Sequence, residues 1–189
     1  MTSLAEVYEI PEKDGAHTVR GGPELDKNGV AWMGLGSGHM ASFDRRKCKV
    51  LNGPAAATGT HCPEGWTMYR MPGPRFAGTD GWADAHYLSW TDPFNTSGLG
   101  ENTPFTTGSN SDSLIAMLPG GKFVNFRVPY PMGFLPKGMD GRIDNPKGGW
   151  KGRGIWSVYG GQVMWHQEGG KGETSKVVKF QVRPNPLAK

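Results

Sequence analysis

Long apolar runs are missing from this sequence. None approaches the roughly 20 residues that a membrane-crossing helix requires, so the chain reads as soluble. Cysteine is almost absent too. Its two copies, Cys48 and Cys62, belong to no CxxC or CxxCH motif, which weakens zinc, dithiol-redox and c-type haem readings. Charge of one sign is equally scarce: 21 basic residues stand among 17 acidic ones, a net charge of +4. The densest basic run, Arg45-Arg46-Lys47-Cys48-Lys49, reads as a solvated loop, and nucleic acid is not an expected partner. The opening residues Met1-Thr2-Ser3-Leu4-Ala5-Glu6 have neither the basic nor the apolar stretch of a signal peptide. A leader removed in processing, or carried upstream, would leave no trace here. Amphipathic helices of three turns or more are also lacking, because Gly or Pro interrupts almost every window.

What the chain has in abundance is turns and rings. Its 30 Gly and 15 Pro make up about a quarter of 189 residues, and 7 Trp, 8 Phe and 5 Tyr accompany them. Large apolar side chains at that density argue against disorder. Short strands joined by tight loops have this composition.

A short phrase recurs: aromatic, polar, aliphatic, proline. It reads Tyr8-Glu9-Ile10-Pro11, Tyr69-Arg70-Met71-Pro72 and Phe126-Arg127-Val128-Pro129, with a looser copy, Phe180-Gln181-Val182-Arg183-Pro184. Its copies begin 61, 57 and 54 residues apart. Alternation of apolar and polar residues predicts half-buried strands. A proline that cannot donate to a ladder predicts the end of an edge strand. A second phrase precedes it, an Asp-x-x-Gly turn leading to a Trp strand: Asp26 to Trp32, then a decayed copy at Ala85 to Trp90. The third copy is Gly154 to Gly160, with Asp140-Gly141-Arg142 ahead of it. A third phrase leads into the edge strand: Gly38 to Asp44, Ser111 to Leu118, and Ser175 to Phe180. Pro119-Gly120-Gly121-Lys122-Phe123 predicts a hairpin.

The fold expected is all-β, a partial β-propeller of about three blades with long Gly/Pro-rich loops. Its units span about 14–72, 73–129 and 130–184, with 1–13 closing a preceding blade. Three units fall short of the four to eight that close a ring. Further blades upstream of Met1, or self-association, are therefore expected.

The pattern aromatic-x-aliphatic-Pro, Asp-x-x-Gly-x-x-Trp and Phe-Asp resembles the streptogramin lyase (virginiamycin B lyase-like) propellers and their NHL-like relatives. Asp26 to Trp32, Ser42-Phe43-Asp44 and Leu118 to Pro129 carry the resemblance. It implies a His and Glu acid/base set near the ring axis, a bound Mg²⁺ and elimination of a cyclic ester. His166 and Glu168, alternating around Gln167, are the nearest counterpart, although the family's spacing is not reproduced.

Other candidates stand on their residue types. His39 lies in a predicted hairpin turn where ligand contact is expected. Asp140 and Asp144, with Asn145, offer oxygen ligands for Mg²⁺ or Ca²⁺, and an Asp–Arg pair through Arg142 is the alternative. Asp84 and His86 lack a nucleophile at hand. Cys48 and Cys62 are expected to pair, which implies an oxidising compartment, periplasmic or secreted; two reduced thiols in a cytoplasmic protein are the alternative. The long loops and the aromatics Trp82, Trp90 and Trp150 favour a binding or scaffold module holding a small molecule, glycan or protein at the rim. A lyase acting on a cyclic ester or polysaccharide-like substrate through His166, Glu168 and His39 is the competing reading.

Overall fold

The computed structural model describes residues 5–127, 136–159 and 176–184. Among these, the chain is all-β, and its helical pieces are short 3₁₀ turns, the longest spanning Pro146–Gly152. Strands β1 (Val19–Leu25), β2 (Ala31–Leu35), β3 (His39–Phe43) and β4 (Trp66–Arg70) form one sheet in chain order. β5 (Ser89–Asp92), β6 (Thr103–Gly108), β7 (Ser113–Leu118) and β8 (Lys122–Arg127) form a second. β9 (Pro136–Ile143), β10 (Arg153–Tyr159) and β11 (Lys176–Phe180) form a third, with β10 in the middle. All pairings are antiparallel. Among the described residues these sheets make no closed ring.

The turns explain the strands. Asp26 anchors the β1–β2 turn: its Oδ1 accepts from the Asn28 and Val30 amides at 2.8 and 3.0 Å, and its Oδ2 from the Trp32 indole at 3.1 Å. Gly29 supplies the left-handed residue there (φ +76°). One carboxylate thus ties the turn to the aromatic strand that follows, which accounts for the Asp26, Gly29 and Trp32 spacing. Gly120 and Gly121 (φ +77° and +72°) make the predicted β7–β8 hairpin.

The second sheet sits between the other two, and its inner strands β6 and β7 are buried on both faces for that reason. In β7, Ile115 packs with Met40 and Met71 of the first sheet's side. Leu114 and Ala116 join Trp90, Phe105 and Ile155 toward the third sheet. Full burial of each such large side chain contributes about 1.5–3 kcal/mol. The first sheet's far face (Met33, Leu35, Ala41 and Phe43) is covered by Ala16, Cys62 and the Tyr8–Ile10 segment.

The proline-terminated phrase falls on edge strands in each sheet. Tyr69-Arg70 ends β4, Phe126-Arg127 ends β8 and Phe180 ends β11. Two expectations need correction. Tyr8 lies in no strand; its ring packs on Phe43 and His61, 4.6 and 4.9 Å between centroids. Asp140-Gly141-Arg142 is no turn but the inside of β9, where Gly141 lies under Trp90 so closely that a Cβ would collide with the indole.

Candidate functional site

His39 opens β3, directly after the 36–38 turn, where Gly38 is left-handed (φ +76°). The turn presents the Ser37 hydroxyl to two groups. Ser37 Oγ accepts from the His17 amide and donates to the His17 carbonyl, both at 3.0 Å, and lies 3.1 Å from His39 Nδ1. With its single proton spent on the carbonyl, the hydroxyl accepts from His39 Nδ1–H. This hydrogen-bond pattern assigns the tautomer and leaves Nε2 as a bare lone pair. His39 is buried, and Nε2 has no hydrogen-bond partner. Burial pushes the imidazole below its usual range, the Ser37 backbone opposes that, and the Arg70, His86 and His17 charges add to the depression. His39 is therefore a neutral acceptor at ordinary pH.

Arg70, the last residue of β4, is the cross-strand partner of His39, so both side chains stand on one face of the sheet. Its guanidinium carbon lies 5.4 Å from the Trp82 ring centroid, and Arg75 stacks on the same ring at 4.8 Å. Arg75 also pairs with Asp80 at 3.6 Å. Arg70 makes one long hydrogen bond, Nη2 to the Asp14 carbonyl at 3.4 Å. These groups line an open cleft of about 290 Å³: Asp14, Ser37, His39, Arg70, Asp80 and Trp82, with His17 at its edge.

The segment after Trp82 supports the cleft from behind. A Cβ on Gly38 would collide with Trp82, so the turn and this segment meet at backbone distance. Asp84 is buried and satisfied: Oδ1 accepts from the Asn110 amide at 2.8 Å and Oδ2 from the Ser111 hydroxyl at 2.7 Å. His86 is fully buried, with Nδ1 2.8 Å from the Thr107 carbonyl and Nε2 unpartnered. Burial lowers its pKa, against the opposing Asp84 charge. Asp84 and His86 therefore brace the two sheets.

A second cavity of about 340 Å³ lies between the first two sheets, lined by Trp32, Tyr69, Leu99, Pro104, Met117 and Leu118 among others. Two of its polar side chains are already engaged. The Trp32 indole is held by Asp26, and Glu101 pairs with Lys27 at 3.2 Å. The first cleft has the uncommitted chemistry.

Of the sequence-predicted residues, His39 lies in the cleft. His166 and Glu168 lie outside the described residues. Asp140 and Asp144 share a shallow depression with Arg142 and Trp156. Asp144 is engaged by Arg142 at 3.1 Å and Lys179 at 3.3 Å. Among the described residues no three His, Cys, Asp or Glu side chains are grouped to hold a metal. Cys48 and Cys62 are joined in a disulfide, with Cα atoms 5.0 Å apart. In the basic run, Arg45 pairs with Glu6 and Arg46 with Asp44. The Arg45 guanidinium and the Tyr8 hydroxyl hold Glu6 down at about 2. Trp90, expected at the surface, is a core residue, 5% exposed. Trp82, one of the aromatics taken as a sign of binding, also lines the cleft, whereas sequence reasoning missed His17 and Arg70. The one available signal was that His39 and Arg70 each bound a predicted strand of the same antiparallel pair.

Neither a family model nor a curated protein matches the chain. Among solved structures, virginiamycin B lyase from Staphylococcus aureus is similar at 13% identity, covering 97% of this chain and 75% of that one, with a TM-score of 0.26. A likeness that slight carries no argument about this chain.

Proposed function

We propose that the chain is a binding module of propeller type, a partial propeller of about three blades akin to the streptogramin lyase and NHL-like propellers, and that it holds a small polar ligand in the Arg70–Trp82 cleft. The observation that carries this reading is a concave site whose main donor, the exposed Arg70, is largely unspent, over an aromatic wall. Consecutive antiparallel sheets packed face to face support the propeller part. The disulfide supports a secreted or periplasmic setting. No helix among the described residues is long and apolar enough to cross a membrane. The outer face of the third sheet exposes Trp156, Val158 and Val177, and we assign it to a neighbouring sheet, from further blades or from a second copy.

The test is saturation-transfer NMR with a panel of monosaccharides, amino acids and hydroxy acids, on the native chain and on Trp82→Ala. Hits that vanish in the variant support the cleft. Hits that survive unchanged, or none at all, refute it. The lyase reading is favoured by one observation, the neutral, buried His39, which suits a base. Unaltered elimination of a cyclic ester by both His39→Gln and His166→Ala would end it.

A further inference from the structure

We infer that the ligand group taken by this cleft is a small oxyanion, a carboxylate or a phosphoryl group, gripped by the Arg70 fork. The inference rests on the cleft being the ligand site. Four other arginines are already committed to carboxylates: Arg45 to Glu6, Arg46 to Asp44, Arg75 to Asp80 and Arg142 to Asp144. Arg70 is exposed, and among the described residues no carboxylate pairs with it. A guanidinium has five N–H donors in one plane, and Arg70 spends one of them, weakly, on the Asp14 carbonyl. Its contact with the Trp82 ring engages the guanidinium through the π-system and leaves the in-plane N–H donors free. A carboxylate or phosphoryl group accepts two of them in parallel.

Arg70 is the one Lys or Arg side chain among the described residues lining the cleft. Arg20 Nε comes within 3.2 Å of where a Cβ on Gly36 would stand, and Gly36 lines the cleft. A side chain at position 36 would therefore press on Arg20. Two carboxylate residues, Asp14 and Asp80, also line the cleft. Asp80 is neutralised in part by Arg75 and stands fully in solvent, where water screens it. His39 adds no positive charge of its own, and it brings no negative charge to compete for Arg70.

The experiment follows the Trp82 indole N–H and the Arg70 Nε–H in proton–nitrogen spectra. The probes are sodium acetate and sodium phosphate, at ionic strength held constant with sodium chloride. Saturable shifts with either anion, at least tenfold weaker in Arg70→Lys and absent in Arg70→Ala, are expected. The acetate and phosphate arms decide which oxyanion is preferred. Responses no different from chloride, or unchanged in Arg70→Ala, overturn the inference. Saturation by tetramethylammonium or glycerol but by neither anion overturns it while leaving the cleft a ligand site. Hits that persist in Trp82→Ala remove the cleft itself. Arg70 is exposed at the end of an edge strand, so the variants keep the fold, which the remaining spectrum verifies.

Discussion

Reducing the Cys48–Cys62 bond should cost the fold about 3 kcal/mol. The bond spans 14 positions, and constraining a loop of about 15 residues in the unfolded chain is worth roughly that much. In equilibrium terms this is a factor of about 150. The loop has few other ties: the Lys49 amide to Glu64 Oε1 at 2.9 Å, and Glu9 to the Gly59 carbonyl at 2.8 Å. Cys62 is itself a core residue, 3% exposed, packed near Met33, Leu35 and Phe43. Cutting the bond therefore frees the lid over the first sheet's far face as well as the unfolded chain. Urea unfolding of oxidised and reduced protein, followed by far-UV circular dichroism, should show midpoints about 1–3 M apart, with a slope no smaller in the reduced protein, whose unfolded chain is less compact. Thiol titration before and after reduction certifies the two states. A stability difference below about 0.5 kcal/mol would refute the loop argument. Two thiols titrating without reductant would remove the bond.

Asp26→Ala leaves the Asn28 and Val30 amides and the Trp32 indole without their acceptors. A loss of about 2–4 kcal/mol is expected, with displacement of the Trp32 indole resonance; Asp26→Asn should recover part of it. A loss under about 1 kcal/mol would show the turn to be held by other means. Stability should also fall on acidification from pH 6.5 toward 5.5. His86 is held neutral by burial, below its ordinary 6.5, so the unfolded chain binds the proton more readily. The contribution is complete above 6.5 and drains as pH drops toward the folded value, by at most about 1.4 kcal/mol per pH unit. His39 acts in the same direction. Glu6, held at about 2, does not titrate there. Melting temperatures across that range, compared with His86→Asn, provide the check; a slope of opposite sign contradicts the assignment.

Local chemistry was legible from the residues wherever partners were close in sequence. Asp26, Gly29 and Trp32 lie within seven positions, and their turn and strand are as expected. Pro119 to Phe123 likewise forms its hairpin. Elements whose conformation is decided across the molecule were not legible. Tyr8 carries the same phrase as Tyr69, but it meets Phe43 and His61 with no strand to join. Gly141 reads as a turn residue, yet it is needed for the close approach of Trp90 from another sheet. The cleft draws on residues 14–17, 36–39, 70 and 80–82, which only the β3–β4 register and the inter-sheet packing bring together. No spacing rule announces such a set. Arg70 looked like the polar filler of a strand phrase, because its value lies in what it fails to pair with.

Among the described residues every sheet margin is blunted. β1 carries Gly21-Gly22-Pro23 where its register with β2 slips between Arg20 and Glu24. β5 has four residues, and β9 begins on Pro136. β4 and β8 end on Arg70 and Arg127, and Pro72 and Pro184 follow β4 and β11. Such margins are poor templates for strand-by-strand growth between molecules, so concentrated solutions should resist fibril formation. Whatever coalescence this chain undergoes must then proceed broadside, through the uncovered Trp156–Val177 plane, and mild detergent rather than strand-capping peptides would dissolve it.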